Sequence, residues 1–106
     1  MIKMVEFLHR KDGVSHEEFV ERWQGDHADI AMELPGLQYY STSVPTDPEK
    51  AEYDGVLELG FDDMASLGAA FESAVGEELQ ADAAEFVDVG AGPRMFVEET
   101  VHIDDE

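Results

Sequence analysis

Apolar residues in this chain fall into six blocks that alternate between strand and helix spacing, and that order limits the fold more than any other feature. Residues 1–9 (MIKMVEFLH) carry β-branched and aromatic side chains with no breaker, and read as a strand buried on both faces. After a turn at Asp12-Gly13, Ser15-His16-Glu17-Glu18 matches the S-x-x-E capping box, with Ser15 as the helix cap. Phe19, Trp23, Ile30 and Leu34 then recur on one helical stripe until Pro35-Gly36 stops it. Residues 37–44 form a second expected strand, 45–54 a loop with two prolines, and 55–61 a third strand. Asp62 or Asp63 caps a second helix with Met64, Leu67, Phe71 and Val75 inward. Gly76 is expected to break or kink it before Leu79, Ala83, Phe86 and Val87 resume the pattern. A turn at 90–93 leads to a last strand over 94–103, and residues 104–106 are expected to fray.

The order β-α-β-β-α-β is that of the split βαβ, or ferredoxin-like, α+β fold: one antiparallel sheet with both helices on one face. A single domain over residues 1–106 is expected from the length. The other face of the sheet then needs a cover. Phe7, Tyr39, Tyr40, Leu57, Leu59, Phe96 and Val97 cannot all point to the helices, because neighbours along a strand point to opposite sides. An open apolar face on so small a domain predicts a homodimer formed through it.

Charge narrows the partners. Twenty-six Asp and Glu against six Lys and Arg give a net charge of -20, which excludes the basic footprint that nucleic acid or an anionic membrane needs. Disorder is not the reason for the acidity, since 43% of residues are hydrophobic and periodic. An acidic surface of this kind suits concentrated salt, and a halophilic source is expected, a neutral-pH mesophile with an acidic surface being the alternative. The absence of cysteine removes disulfides and thiolate chemistry and fits a reducing cytoplasm. The apolar start is too short, and too interrupted by Lys3 and Glu6, for a signal peptide or a membrane span.

Four residue groups are candidates for chemistry. His16 and His102 read as solvated, and His9 as lining a pocket mouth or facing water. His27 stands four after Trp23 and eight after Phe19, on the core stripe, where an imidazole needs a partner or a cavity. Two readings of it stand: a satisfied core histidine, or an acid–base group. Tyr39 and Tyr40 point to opposite sides of their strand, so one phenol faces the helices. Glu58 and Glu6 interrupt apolar strands. With the first and third strands central they could lie together, binding a metal or sharing a proton, or each could sit at an exposed edge. Arg94 is either an anion clamp or a solvated strand start. No nucleotide loop, serine-hydrolase elbow or histidine pair at metal-ligand spacing occurs. No axial-ligand motif singles out haem, and the acidic surface does not attract phosphates, so neither cofactor nor metal is expected.

The run R-K-x-G-V-S-x-E-E-F at 10–19, W-x-x-x-H-A at 23–28 and L-P-G-L-x-x-Y at 34–40, with F-x-D-x-x-x-L-x-x-A-F-x-S at 61–73, resembles the EthD family. The resemblance implies a dimeric α/β barrel, two ferredoxin-like sheets packed face to face, and a family label of reductase or oxidoreductase. It also implies that His27 and Tyr40, which match the family's histidine and tyrosine, line the active pocket. Trp23, Glu58, Glu6 and Arg94 are candidate substrate contacts on their own positions in the chain, apart from the resemblance. Related isomerases use a cysteine that this chain lacks. The expected activity is acid–base work by His27 and Tyr40 on a small, mostly apolar carbonyl- or lactone-like molecule. A non-catalytic dimeric module binding a small ligand is the alternative.

Overall fold

Ser15 accepts the Glu18 N–H at 3.1 Å and Asp63 the Ser66 N–H at 2.8 Å, so both predicted caps start their helices. The structure is a computed structural model that describes residues 1–104; of the segment expected to fray, residues 105 and 106 lie outside the described residues. The elements run β1 (Ile2–Leu8), α1 (His16–Gln24), α2 (Asp26–Ala31), β2 (Tyr39–Ser43), β3 (Gly55–Phe61), α3 (Met64–Glu72), α4 (Ala74–Ala83) and β4 (Arg94–Glu98). The strands form one sheet in the order β2-β3-β1-β4, every neighbour antiparallel. This is the ferredoxin-like arrangement.

Each expected helix is in fact two. The first breaks at Gly25, whose backbone (φ -104, ψ -110) leaves the helical region and whose missing Cβ would sit 2.7 Å from the Glu21 carbonyl oxygen. The second breaks at Ser73 and not at Gly76. Ser73 closes α3 in extended backbone, and its hydroxyl accepts the Gly76 N–H at 3.1 Å to open α4. Gly76 is needed inside α4 because a Cβ there would collide with the Ala70 and Phe71 carbonyls. Met64, expected inward, is 47% exposed in the first turn of α3. The last strand stops at Glu98, five residues earlier than expected, because its partner Ile2 begins β1; only the Glu99 N–H continues the pairing, to the Met1 carbonyl at 3.1 Å.

Strand register decides the faces. Met4 lies opposite Leu59 and Phe96, and Glu6 opposite Leu57 and Arg94, on the helix side. Lys3, Val5 and Phe7 lie on the other side, opposite Gly60 and Val97, Glu58 and Met95, and Val56. The helix side carries two buried clusters, one around Met4, Leu34, Leu59, Phe61 and Leu67, the other around Leu8, Phe19, Trp23, Phe86 and Val87. The open side is less apolar than expected. Phe7, Tyr39 and Val97 are there, but Tyr40, Leu57, Leu59 and Phe96 belong to the helix side. At its centre the Lys3 ammonium is buried, donating to Glu99 at 2.6 Å and Glu58 at 3.3 Å beneath the Tyr39 ring at 3.7 Å. Burial alone would lower the Lys3 pKa; the bonds to Glu99 and Glu58 outweigh it and hold it above 10.5.

Asp54 ties the ends of three elements together. Buried just before β3, its carboxylate accepts the Arg10 N–H at 2.8 Å, the Arg10 guanidinium at 2.9 Å and His16 Nδ1 at 2.8 Å. His16 is therefore an anchored residue and not the solvated one expected. Burial opposes ionisation of Asp54, but those bonds prevail and hold its pKa below 3.8. A depressed carboxylate stabilises the fold above its unfolded pKa and loses that contribution as pH falls through its folded value. Asp54→Ala is expected to cost about 2–3 kcal/mol at neutral pH. In urea titrations the gap between wild type and variant should narrow below pH 3.8; a gap independent of pH in that range would contradict the assignment.

Candidate active site

A cavity of about 370 Å³ lies between the helix side of the sheet and the helices. Met4, Leu8, Leu57 and Leu59 of the central strands form its floor, and Leu67, Phe71, Leu79 and Ala83 of α3 and α4 its roof, so both core clusters contribute to it. Its polar lining is confined to His27, Gln80, Glu6 and Arg94.

His27 reaches this wall because the break at Gly25 restarts the helix one residue before it, and α2 buries His27, Ala28 and Ala31. Its side chain is 9% exposed. Nδ1 lies 2.7 Å from Asp82 Oδ2, and Phe86 stands edge-on to the ring with centroids 5.1 Å apart. An ionised carboxylate can only accept, so Nδ1 carries the hydrogen and the neutral ring keeps its lone pair on Nε2. Among the described residues the one buried side-chain nitrogen or oxygen without a partner is Trp23 Nε1. His27 Nε2, for which the structure gives no protein partner, is therefore not sealed, on a ring that lines the cavity. The other oxygen of Asp82 accepts from Arg22 Nη2 at 3.3 Å. Arg22 also donates to Glu85 at 3.1 Å and lies over the Phe86 ring at 4.9 Å. Asp82 and Phe86 thus fix the imidazole, and Arg22 holds both of them in place.

Glu6 and Arg94 meet on the sheet side of the same cavity, with Nη2 at 3.4 and 3.5 Å from the two carboxylate oxygens.

The other expected site residues lie elsewhere. Tyr40 projects to the helix side, as one of the two tyrosines must, but it comes from the edge strand at the far end of the sheet from β4 and does not line the cavity. It packs against the Met4–Leu59 cluster, and burial pushes its phenol up to about 12. Trp23 is fully buried beneath Gly55 in the second cluster and does not itself line the cavity. Glu58 is separated from Glu6 by strand parity: Glu58 pairs with Val5 and Glu6 with Leu57, so the two carboxylates lie on opposite faces and cannot share a metal or a proton. Among the described residues no group of three or more His, Asp or Glu side chains is placed to hold a metal ion.

Asp82 is the residue that the sequence reading passed over. It stands three after Leu79 and four before Phe86, on an apolar stripe, which is the same anomaly that singled out His27.

A ferredoxin-like α+β chain with a histidine–aspartate pair opening on a cavity under its helices is the class defined so far. Residues 11–90 match the EthD domain model, and the chain belongs to the EthD domain family. It is similar to an EthD family protein from Bacillus halodurans C-125, 24% identical, with 94% of this chain and 99% of that one covered at a TM-score of 0.78. It is similar also to a dimeric ferredoxin-like protein of unknown function from Thermobifida fusca (17% identity, 91% and 86% covered, TM-score 0.69). A third likeness is to a hydroxynitrile lyase from Passiflora edulis (14% identity, 94% and 95% covered, TM-score 0.71). At these identities the likeness establishes the fold and not the activity. No curated protein sequence matches the chain. Among the described residues no helix is long and apolar enough to cross a membrane.

Proposed function

We propose that this protein is an acid–base enzyme that moves a proton on a small, mostly apolar carbonyl compound bound in the cavity. The observation that carries the reading is the 2.7 Å contact of His27 with Asp82 at the wall of a largely apolar space. His27 Nε2 takes the proton from a carbon next to the carbonyl, the electron pair moves to the carbonyl oxygen, and the imidazolium is held by Asp82 until it returns the proton. Tyr40, the expected acid, takes no part in the transfer, because it lies outside the cavity.

Supporting evidence for catalysis in this fold comes from the lyase of similar structure; supporting evidence for a homodimer comes from the Thermobifida protein described as dimeric. Phe7, Tyr39 and Met95, exposed by 38%, 40% and 65% on the open sheet face, are the surface a second copy would cover. The lack of cysteine and the charge of -20 support a cytoplasmic setting rich in salt.

The test is deuterium incorporation next to the carbonyl of small ketones and lactones in D₂O, followed by NMR. Wild type should accelerate it, and His27→Ala should lose about 10²- to 10⁴-fold with its circular dichroism unchanged. Saturable binding with no exchange would favour the non-catalytic binding module instead.

A further inference from the structure

The Glu6–Arg94 pair takes no part in the proton transfer proposed above, yet it is the polar group of the sheet side of the cavity. Glu6 is 8% exposed and projects from the central strand between apolar neighbours. A carboxylate so placed needs its charge matched, and among the described residues its one side-chain hydrogen-bond partner is Arg94. The match is loose. Contacts of 3.4 and 3.5 Å exceed the roughly 2.7–2.9 Å of a good charge-assisted bond. Both run through one nitrogen, Nη2, so Nε and Nη1 of the half-exposed guanidinium keep their N–H groups without an acceptor among the described residues. The wall therefore presents a strong acceptor and a strong donor side by side, each with capacity to spare.

Such a couple discriminates by charge as well as by hydrogen bonding. A carboxylate ligand would suit Arg94 but bring its charge against Glu6, after approaching a surface of net charge -20. An ammonium would meet Arg94. An uncharged group with a hydroxyl beside a carbonyl satisfies both partners: the hydroxyl donates to Glu6 and the carbonyl oxygen accepts from Arg94. Because the pair stands in the sheet and His27 in the helix layer, a molecule filling the space between touches both. The volume of 370 Å³ corresponds to about a dozen waters at ~30 Å³ each, hence a body of about ten to twelve non-hydrogen atoms.

We infer that the substrate class of this cavity is an uncharged α-hydroxycarbonyl compound with an apolar body, its polar end read by Glu6 and Arg94. Recognition by this pair deepens, and as a substrate assignment rests on, the acid–base reading of His27. The hydrogen that His27 would move is then the acidified one between hydroxyl and carbonyl, and Arg94 faces the oxygen on which charge develops.

Three probes of nearly equal size test this by NMR titration: phenacyl alcohol, acetophenone, which lacks the hydroxyl, and phenylglyoxylate, which carries a carboxylate. Wild type should bind phenacyl alcohol about tenfold or more tighter than either of the others. Glu6→Gln, whose amide is the weaker acceptor, should shrink the preference over acetophenone and improve phenylglyoxylate. Arg94→Met should weaken both ketones, since each offers Arg94 its carbonyl oxygen, with circular dichroism showing that the fold survives loss of the Glu6 counter-charge. Phenylglyoxylate binding wild type as well as phenacyl alcohol does, no binding of phenacyl alcohol, or ketone affinities unmoved by Arg94→Met in the folded protein would each overturn the inference. His27→Ala separates the two proposals. It should keep the binding order while losing exchange; an intact order with undiminished exchange would sink the acid–base role and leave the recognition by Glu6 and Arg94 standing.

Discussion

Replacing Asp82 by Asn is expected to cut His27-dependent proton exchange by about 10²- to 10⁴-fold while the chain stays folded. The carboxylate accepts from Nδ1 at 2.7 Å and so keeps the lone pair on Nε2 of a ring that lines the cavity. An asparagine amide can turn its NH₂ to the ring instead, which moves the hydrogen to Nε2 and removes the base. It also withdraws the negative charge that stabilises the imidazolium. Stability should change much less, by about 1 kcal/mol, because the Asp82 side chain is 21% exposed and Arg22 retains Glu85. Nitrogen-15 NMR of the His27 ring gives a readout independent of turnover: the protonated nitrogen should switch from Nδ1 to Nε2. A variant that exchanges at the wild-type rate, with the wild-type tautomer, would show that Asp82 does not orient His27.

Trp23→Ala should cost about 3–5 kcal/mol, a large share of the roughly 5–15 kcal/mol that holds a domain folded. The indole is fully buried, stands 5.3 Å from the Phe19 ring and fills the space that any side chain on Gly55 would need. Its replacement by alanine empties the second core cluster. Trp23→Phe should be far milder, since it keeps most of the volume and removes an indole N–H that has no partner. Urea unfolding followed by circular dichroism measures both, because the only tryptophan is lost as a fluorophore. The exchange activity of folded Trp23→Phe should equal that of wild type. Loss of activity in a folded Trp23→Phe protein would restore Trp23 to the site.

The order of elements, both helix caps and the bounds of β3 were legible because each rests on local spacing: a period, a capping serine or aspartate, a turn glycine. The breaks at Gly25 and Ser73 were not, since the helical stripe continues through both and the interruption depends on what the next turn packs against. His27 was legible as a polar ring on an apolar stripe. Asp82 carried the same signal, but in a chain with 26 carboxylates a single acidic residue on a stripe is easily read as one more solvated charge. Glu6 and Glu58 show the limit most sharply. Each was correctly seen as unusual, yet their relation turned on register, which moves a side chain to the opposite face with every residue of shift. Tyr40 lies outside the cavity for a longer-range reason. Its face follows from alternation, but its distance from the cavity follows from strand order, which places β2 and β4 at opposite edges.

All six basic side chains are engaged within the molecule: Lys3, Arg10, Arg22, Lys50 and Arg94 with carboxylates, and Lys11 with the Ala84 carbonyl. The protein thus spends its own cations on fixing strands, caps and the site, and its exterior is left to be neutralised from outside. Ions of the medium become a condensed, exchangeable layer of the particle, and the chain should migrate, crystallise and associate as a polyanion that carries its counterions with it.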